Sequence, residues 1–134
     1  MRVLHVGATG TIGGAVAAAL EREGHEVVRV GLEEGDHRAD LADRGSIEAL
    51  YASVGEVGAV VCTAGVATFG SLDDLTDDDF RHSLDNKLMG QVHLVRLGGG
   101  RRPRPPPRAV TLTTRTRCQH PTPPPTPEAK TRAA

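Results

Sequence analysis

Between a short apolar run, Arg2 to Val6, and the alanine-rich stretch Ala15 to Leu20, the chain spaces three glycines evenly, at Gly7, Gly10 and Gly13. An apolar run closed by glycine reads as a buried parallel strand. The alanine-rich stretch is full of strong helix formers, and Gly24 stands where a carboxy-terminal helix cap belongs. Glu26 to Val30 is a second strand, so a βαβ unit closes within about thirty residues. Each glycine has its own task in such a unit. Gly7 permits the tight turn as the strand ends, and Gly10 lets backbone approach a pyrophosphate with no Cβ in the way. Gly13 allows helix to pack closely on strand. The first-turn amides and the helix dipole then face the phosphate charge. A tight strand-to-helix turn with no ligand is the plain alternative. Strand, loop, helix and second strand all fall in register, which favours dinucleotide binding.

The same grammar then repeats. A brief strand is predicted around His37 to Ala39, followed by Asp40-Leu41 and a helix from Ser46, as its cap, to Val54. Ile47, Leu50 and Tyr51 share one face of that helix. Gly58 to Cys62 is the next strand, closed by Thr63-Ala64-Gly65. Thr76-x-x-Asp79 is a capping-box signature. It opens a long helix, 77–97, in which Phe80, Leu84, Leu88, Val92 and Val95 recur at helical spacing. Alternating strands and helices predict an α/β, Rossmann-like doubly wound parallel sheet, incomplete because no second βαβ half is present.

After Leu97 the composition changes. Residues 1–98 carry eight Lys/Arg against sixteen Asp/Glu, a formal charge of −8, whereas residues 99–134 carry eight against one, a charge of +7. All nine prolines fall at or beyond Pro103. Proline without periodicity builds neither helix nor sheet interior, and like charges repel. The expected organisation is therefore a partial nucleotide-binding domain over 1–98 and a disordered Pro/Arg-rich tail over 99–134. One island in the tail, Ala109 to Thr114, has strand composition. The basic tail lacks aromatic residues for base stacking, so no nucleic-acid partner is expected. Cys62 lies in an apolar run and Cys118 in the tail, which suggests no disulfide framework. No stretch is apolar enough to span a bilayer and no signal peptide is recognisable, so no membrane partner is expected and the cytoplasm is the expected location. The six histidines share no metal-ligand spacing with cysteine or carboxylate, and no metal is expected.

Residues 1–97 resemble the amino-terminal half of a short-chain dehydrogenase/reductase, in an atypical and truncated form. The matching pieces are Gly7-Ala8-Thr9-Gly10-Thr11-Ile12-Gly13, Asp40-Leu41, Thr63-Ala64-Gly65-Val66, and the helix Phe80 to Leu94 with Asn86-Lys87-Leu88-Met89-Gly90 inside it. The spacing of Gly10 resembles the extended or atypical branches of the family. The resemblance implies NAD(P) as cofactor, with a slight leaning to NADP, and a small carbonyl or alcohol substrate. It implies cofactor contacts at Gly7, Thr9, Gly10, Thr11, Ile12, Gly13, Asp40, Leu41, Thr63, Ala64 and Gly65. A homo-oligomer built through the long helix 77–97 is a further expectation. The turn after Val30, Gly31-Leu32-Glu33-Glu34, carries neither the acid immediately after the strand that marks NAD sites nor the arginine that marks NADP sites.

The resemblance also exposes gaps. The family's proton shuttle is a Tyr followed four residues later by Lys, in which the lysine lowers the tyrosine's pKa. Here Tyr51 is followed at that spacing by Gly55, and Lys87 and Lys130 are preceded by Ser83 and Thr126. No catalytic pair is present. Thr113, Thr114 and Lys87 are the remaining candidates for the catalytic neighbourhood. The family's helical Asn falls at Lys87, and Asn86 stands one residue early. On a regular helix that offset rotates a side chain by about 100°, so Asn86 is not expected to substitute, and Lys87 reads either as a genuine replacement in a divergent subgroup or, the favoured reading, as an exposed helix lysine. A family-like strand set in Arg/Pro/Gly-rich sequence reads as a coding frame lost and partly regained. Three functions stay open: an impaired oxidoreductase, a non-catalytic NAD(P)-binding regulator, and a non-functional frameshifted remnant.

Overall fold

The computed structural model describes residues 1–99. The tail reading, the strand island 109–114, and the candidates Thr113 and Thr114 lie outside the described residues. Four strands, β1 (Arg2–Val6), β2 (Glu26–Gly31), β3 (His37–Arg38) and β4 (Ala59–Cys62), form one sheet in the order β3-β2-β1-β4. Every pairing is parallel, with Val6 opposite Val30 on one side and Cys62 on the other. The helices are α1 (Thr11–Arg22), α2 (Arg44–Val54), α3 (Asp77–Ser83) and α4 (Gly90–Gly98), with a π-helical turn over Leu84–Met89 joining the last two. This is the Rossmann-like α/β architecture.

Crossover helices cover both faces. Leu4 and Val6 of β1 join Val28 and Val30 of β2 in a core closed by Ile47, Leu50 and Tyr51 of α2 and Leu94 of α4. The Tyr51 hydroxyl donates to the Leu94 carbonyl at 2.8 Å, which ties α2 to α4 through a fully buried phenol. Val3 and His5 alternate with Leu4 and Val6 and so face the other side, where α1 packs with Ala17 buried.

Local signals account for most helix ends. Gly24 (φ +79) follows α1, with its amide bonded to the Glu21 carbonyl and that of His25 to Leu20, the two bonds of a Schellman cap. At α3, Thr76 Oγ1 accepts from the Asp79 amide and Asp79 Oδ2 accepts from the Thr76 amide, completing the expected capping box. The start of α2 differs from the expectation. Asp43 is the cap, accepting from the Gly45 amide, and the helix begins at Arg44. Ser46 Oγ instead accepts from the Asp40 amide at 3.0 Å, so a bond from outside the helix takes the hydroxyl that looked like a cap.

Candidate functional site

A crevice of ≈ 250 Å³ opens at the carboxyl ends of β1 and β4. Successive connections from β1 and to β4 leave toward opposite sides there, the switch point where ligands bind in open α/β sheets. Gly7, Thr9, Gly10, Asp40, Leu41, Thr63, Ala64 and Gly65 all line it. Thr11, Ile12 and Gly13 do not: Thr11 opens α1, Ile12 is exposed, and Gly13 is buried beneath the loop. Val6, Gly31, Leu32, Ala39, Val66 and Asn86 complete the lining, and sequence reasoning had assigned none of them to the site.

The glycines divide by what a side chain would meet. Gly7 has φ +93, and a Cβ there would stand 2.5 Å from the Ala64 amide nitrogen. A Cβ on Gly13 would stand 1.8 Å from the Gly7 carbonyl oxygen. Both are required by the turn and by helix-on-strand packing. Gly10 is different. Its Cβ would touch nothing of the protein nearer than the Gly7 carbonyl oxygen at 3.5 Å, an ordinary contact. Packing leaves room for a side chain at this position, which faces the crevice. As the residue before α1, Gly10 also offers no side-chain cap, and the first turn carries no acid. The amides of that turn have no intrahelical acceptors and keep the positive end of the helix dipole unsatisfied.

Beneath the loop runs a polar chain that the sequence did not reveal. Fully buried His5 meets Thr63 Oγ1 through Nε2 at 3.0 Å, and Thr63 Oγ1 lies 3.1 Å from the Gly7 carbonyl. The Gly7 amide donates to the Val30 carbonyl at 2.7 Å, fixing the turn to β2. Burial, and secondly the Arg29 guanidinium, push the His5 pKa below the ordinary histidine value. Burial likewise pushes the Cys62 thiol up, so it stays a protonated, packed side chain. Asp40 Oδ1 accepts from the Ala42 amide at 2.9 Å, which holds the carboxylate at the edge of the crevice.

On the far side, the segment after β4 is stapled to the long helix. Asn86 Oδ1 accepts from the Val66 amide at 2.7 Å and Ser83 Oγ accepts from the Thr68 amide at 3.0 Å. Asn86 is buried and lines the crevice. Lys87 is half-buried: its Nζ stands 3.5 Å from the Gly65 carbonyl and its chain lies over Gly65. Both sequence expectations here need correction. The rotation argument assumed a regular α-helix, but these residues fall in the π-helical turn, whose extra residue lets adjacent side chains turn to the same loop. Lys87 is accordingly not an exposed helix lysine, and Asn86 does reach the crevice.

The family model described as the NAD dependent epimerase/dehydratase family matches residues 3–131. The chain belongs to that family. As a member of it, this epimerase/dehydratase-family chain has the fold of the short-chain dehydrogenase/reductases. It is 39% identical to the solved protein lin1944 of Listeria innocua, with TM-score 0.74, covering 77% of this chain and 51% of that one. A small-chain dehydrogenase solved in complex with NADPH shares the fold at 24% identity and TM-score 0.69, covering 78% and 47%. Sepiapterin reductase of Chlorobaculum tepidum is 31% identical over 84 residues, 60% of this chain and 34% of that protein. The chain thus spans about a third to a half of these relatives' length. Among the described residues, no helix is long and apolar enough to cross a membrane.

Proposed function

We propose that this chain binds NAD(P) across the β1/β4 crevice, as the cofactor-holding half of an oxidoreductase acting between NAD(P)H and a small carbonyl or alcohol. The observation that carries the reading is Gly10, a position where packing admits a side chain, in front of an uncapped helix amino terminus. A diphosphate fits both features. Gly7, Thr9 and Gly10, with the amides of Thr11, Ile12 and Gly13, would hold the diphosphate. Asp40 and Leu41 would flank the adenine end, and Thr63, Ala64 and Gly65 the ribose beyond. Lys87, whose Nζ stands 3.5 Å from the Gly65 carbonyl, would set a positive charge beside that second ribose. When bound, the nicotinamide supplies the hydride chemistry. The chain's own part is to position it. A reducing, cytoplasmic setting suits the free Cys62 thiol.

The alternative, a dinucleotide binder without turnover, is favoured by one observation. Tyr51, the sole tyrosine, is buried between helices with its hydroxyl on the Leu94 carbonyl, away from the crevice. Among the described residues, its hydroxyl faces a backbone carbonyl rather than the crevice. The domain boundary at residue 98, and a frameshifted origin for residues 99–134, belong to this proposal. Reading the DNA through and beyond codon 98 tests the origin of residues 99–134, and an unshifted frame to Ala134 rejects a frameshift. Fluorescence titration with NADH and NADPH tests the site itself; assay against a panel of carbonyls separates oxidoreductase from binder. Binding with turnover supports the first reading, binding alone the second, and no binding by a folded sample removes both.

A further inference from the structure

Among the described residues two polar side chains are buried, Asn86 in the crevice lining and His5 outside it. His5 is fully enclosed in β1, between Arg29 of β2 and Val61 of β4. Its Nδ1 is buried with no hydrogen-bond partner among the described residues, while Nε2 stands 3.0 Å from Thr63 Oγ1. A neutral imidazole carries one proton, and either nitrogen can hold it. The neighbouring carbonyls decide which.

Thr63 Oγ1 has one proton to give and two carbonyls in reach, Gly7 at 3.1 Å and Val6 at 3.5 Å. The Val6 carbonyl already accepts the Thr63 amide at 2.8 Å and the Ala64 amide at 3.2 Å, which fills both of its lone pairs. The Gly7 carbonyl has taken the Gly10 amide, at 3.2 Å, and keeps a lone pair open. The hydroxyl proton therefore goes to Gly7. Thr63 is left facing His5 with a lone pair, and only a protonated Nε2 completes that contact. The other tautomer has two faults. It buries an Nδ1–H with no acceptor, and it draws the Thr63 proton away from Gly7 toward the ring. A doubly protonated ring keeps the first fault and adds a charge beside Arg29.

Resting on the proposed dinucleotide site, we infer that His5 is a positioning residue for the glycine loop: its Nε2–H holds the Thr63 hydroxyl, whose proton holds the Gly7 carbonyl. That carbonyl is the pivot of the turn. It closes the loop on the Gly10 amide, and a Cβ on Gly13 would stand 1.8 Å from it, so the start of α1 rests on the same atom. Without the ring donor, the Thr63 proton has no fixed direction and the Gly7 carbonyl loses a partner. The loop then spends a smaller share of its time in the binding shape, and affinity falls by that share. His5 reaches the crevice only through Thr63 and Gly7, because it lines no part of the crevice itself.

Two measurements on the full chain test this. Long-range proton–nitrogen NMR of the His5 ring near neutral pH should find the proton on Nε2 and a bare Nδ1. A proton on Nδ1 overturns the inference, whether or not nucleotide is present. Fluorescence titration with NADH reads the consequence, with each variant checked for folding by circular dichroism. His5→Leu should bind about tenfold more weakly, the scale of one lost buried hydrogen bond, whereas His5→Gln, which keeps a donor for Thr63, should stay within about twofold of the parent. Parent-like affinity in His5→Leu, or an equal loss in His5→Gln, overturns the inference. If His5→Leu does not fold, the ring proton and His5→Gln decide it. A folded parent that binds neither NADH nor NADPH removes the dinucleotide site itself, and this role with it.

Discussion

Gly10 and Gly13 are indistinguishable as letters and opposite in consequence. Gly13→Ala would drive a methyl group into the Gly7 carbonyl, where backbone must move on both sides. Overpacking of that kind costs about 1–3 kcal/mol or more, and urea unfolding should register it whether or not nucleotide is present. Gly10→Ala has room within the protein. It should leave the unfolding free energy from urea titration within about 0.5 kcal/mol of the parent while weakening NADH binding by tenfold or more. Equal affinity in that variant would remove the diphosphate from this loop. His5 yields a prediction in pH. Its folded-state pKa is depressed by burial, so the unfolded chain takes up the proton first as pH falls. Its contribution is fully present above the unfolded value of about 6.5 and declines as pH drops toward the folded value. Stability should be lower at pH 5.5 than at pH 7.5, and His5→Leu should flatten that slope. An unchanged slope would assign the effect elsewhere.

At the scale of elements, the joint between α3 and α4 carries the new information. Asn86 and Ser83, one turn apart, accept the Val66 and Thr68 amides and hold the segment after β4 in place. Asn86→Ala strips a part-buried amide of its acceptor, which costs about 1 kcal/mol. Hydrogen exchange should quicken at Val66 while the β1 amides stay protected; uniform protection would show that the staple is redundant. The strands, the glycine turn, the Schellman end of α1 and the capping box of α3 were legible because each rests on local rules: a Cβ clash, a φ that only glycine takes readily, a reciprocal pair of bonds. The π-helical turn was not, since widening a helix by one residue has no signature in composition or spacing. Nor was the start of α2, where Ser46 read as the cap but accepts the Asp40 amide, while Asp43 caps the helix by accepting from the Gly45 amide. Of the candidate site, the phosphate loop and the Thr63–Gly65 strand end were readable. Asn86 was not, because folding rather than sequence proximity brings it to the crevice.

For the molecule as a whole, the exposed faces of the long helix matter most. Phe80 is 43% exposed, Leu84 54%, Leu88 55% and Val95 48%, an open apolar stripe of the kind that marks interaction surfaces. Association through this helix should appear as a concentration-dependent sedimentation coefficient, abolished by Leu84→Glu/Leu88→Glu; a monomer at all concentrations would refute it.

β1 is both the central strand and the source of the glycine turn, and its partners begin 24 residues away at Glu26 and 56 away at Ala59. The cradle therefore has no existence apart from the assembled sheet, since Gly7 hangs on the Val30 carbonyl and abuts Ala64. Occupancy and folding then become a single equilibrium. A dinucleotide at a hundredfold excess over its Kd should raise the unfolding free energy by about 2.7 kcal/mol, which makes a thermal-shift trace a readout of the entire sheet.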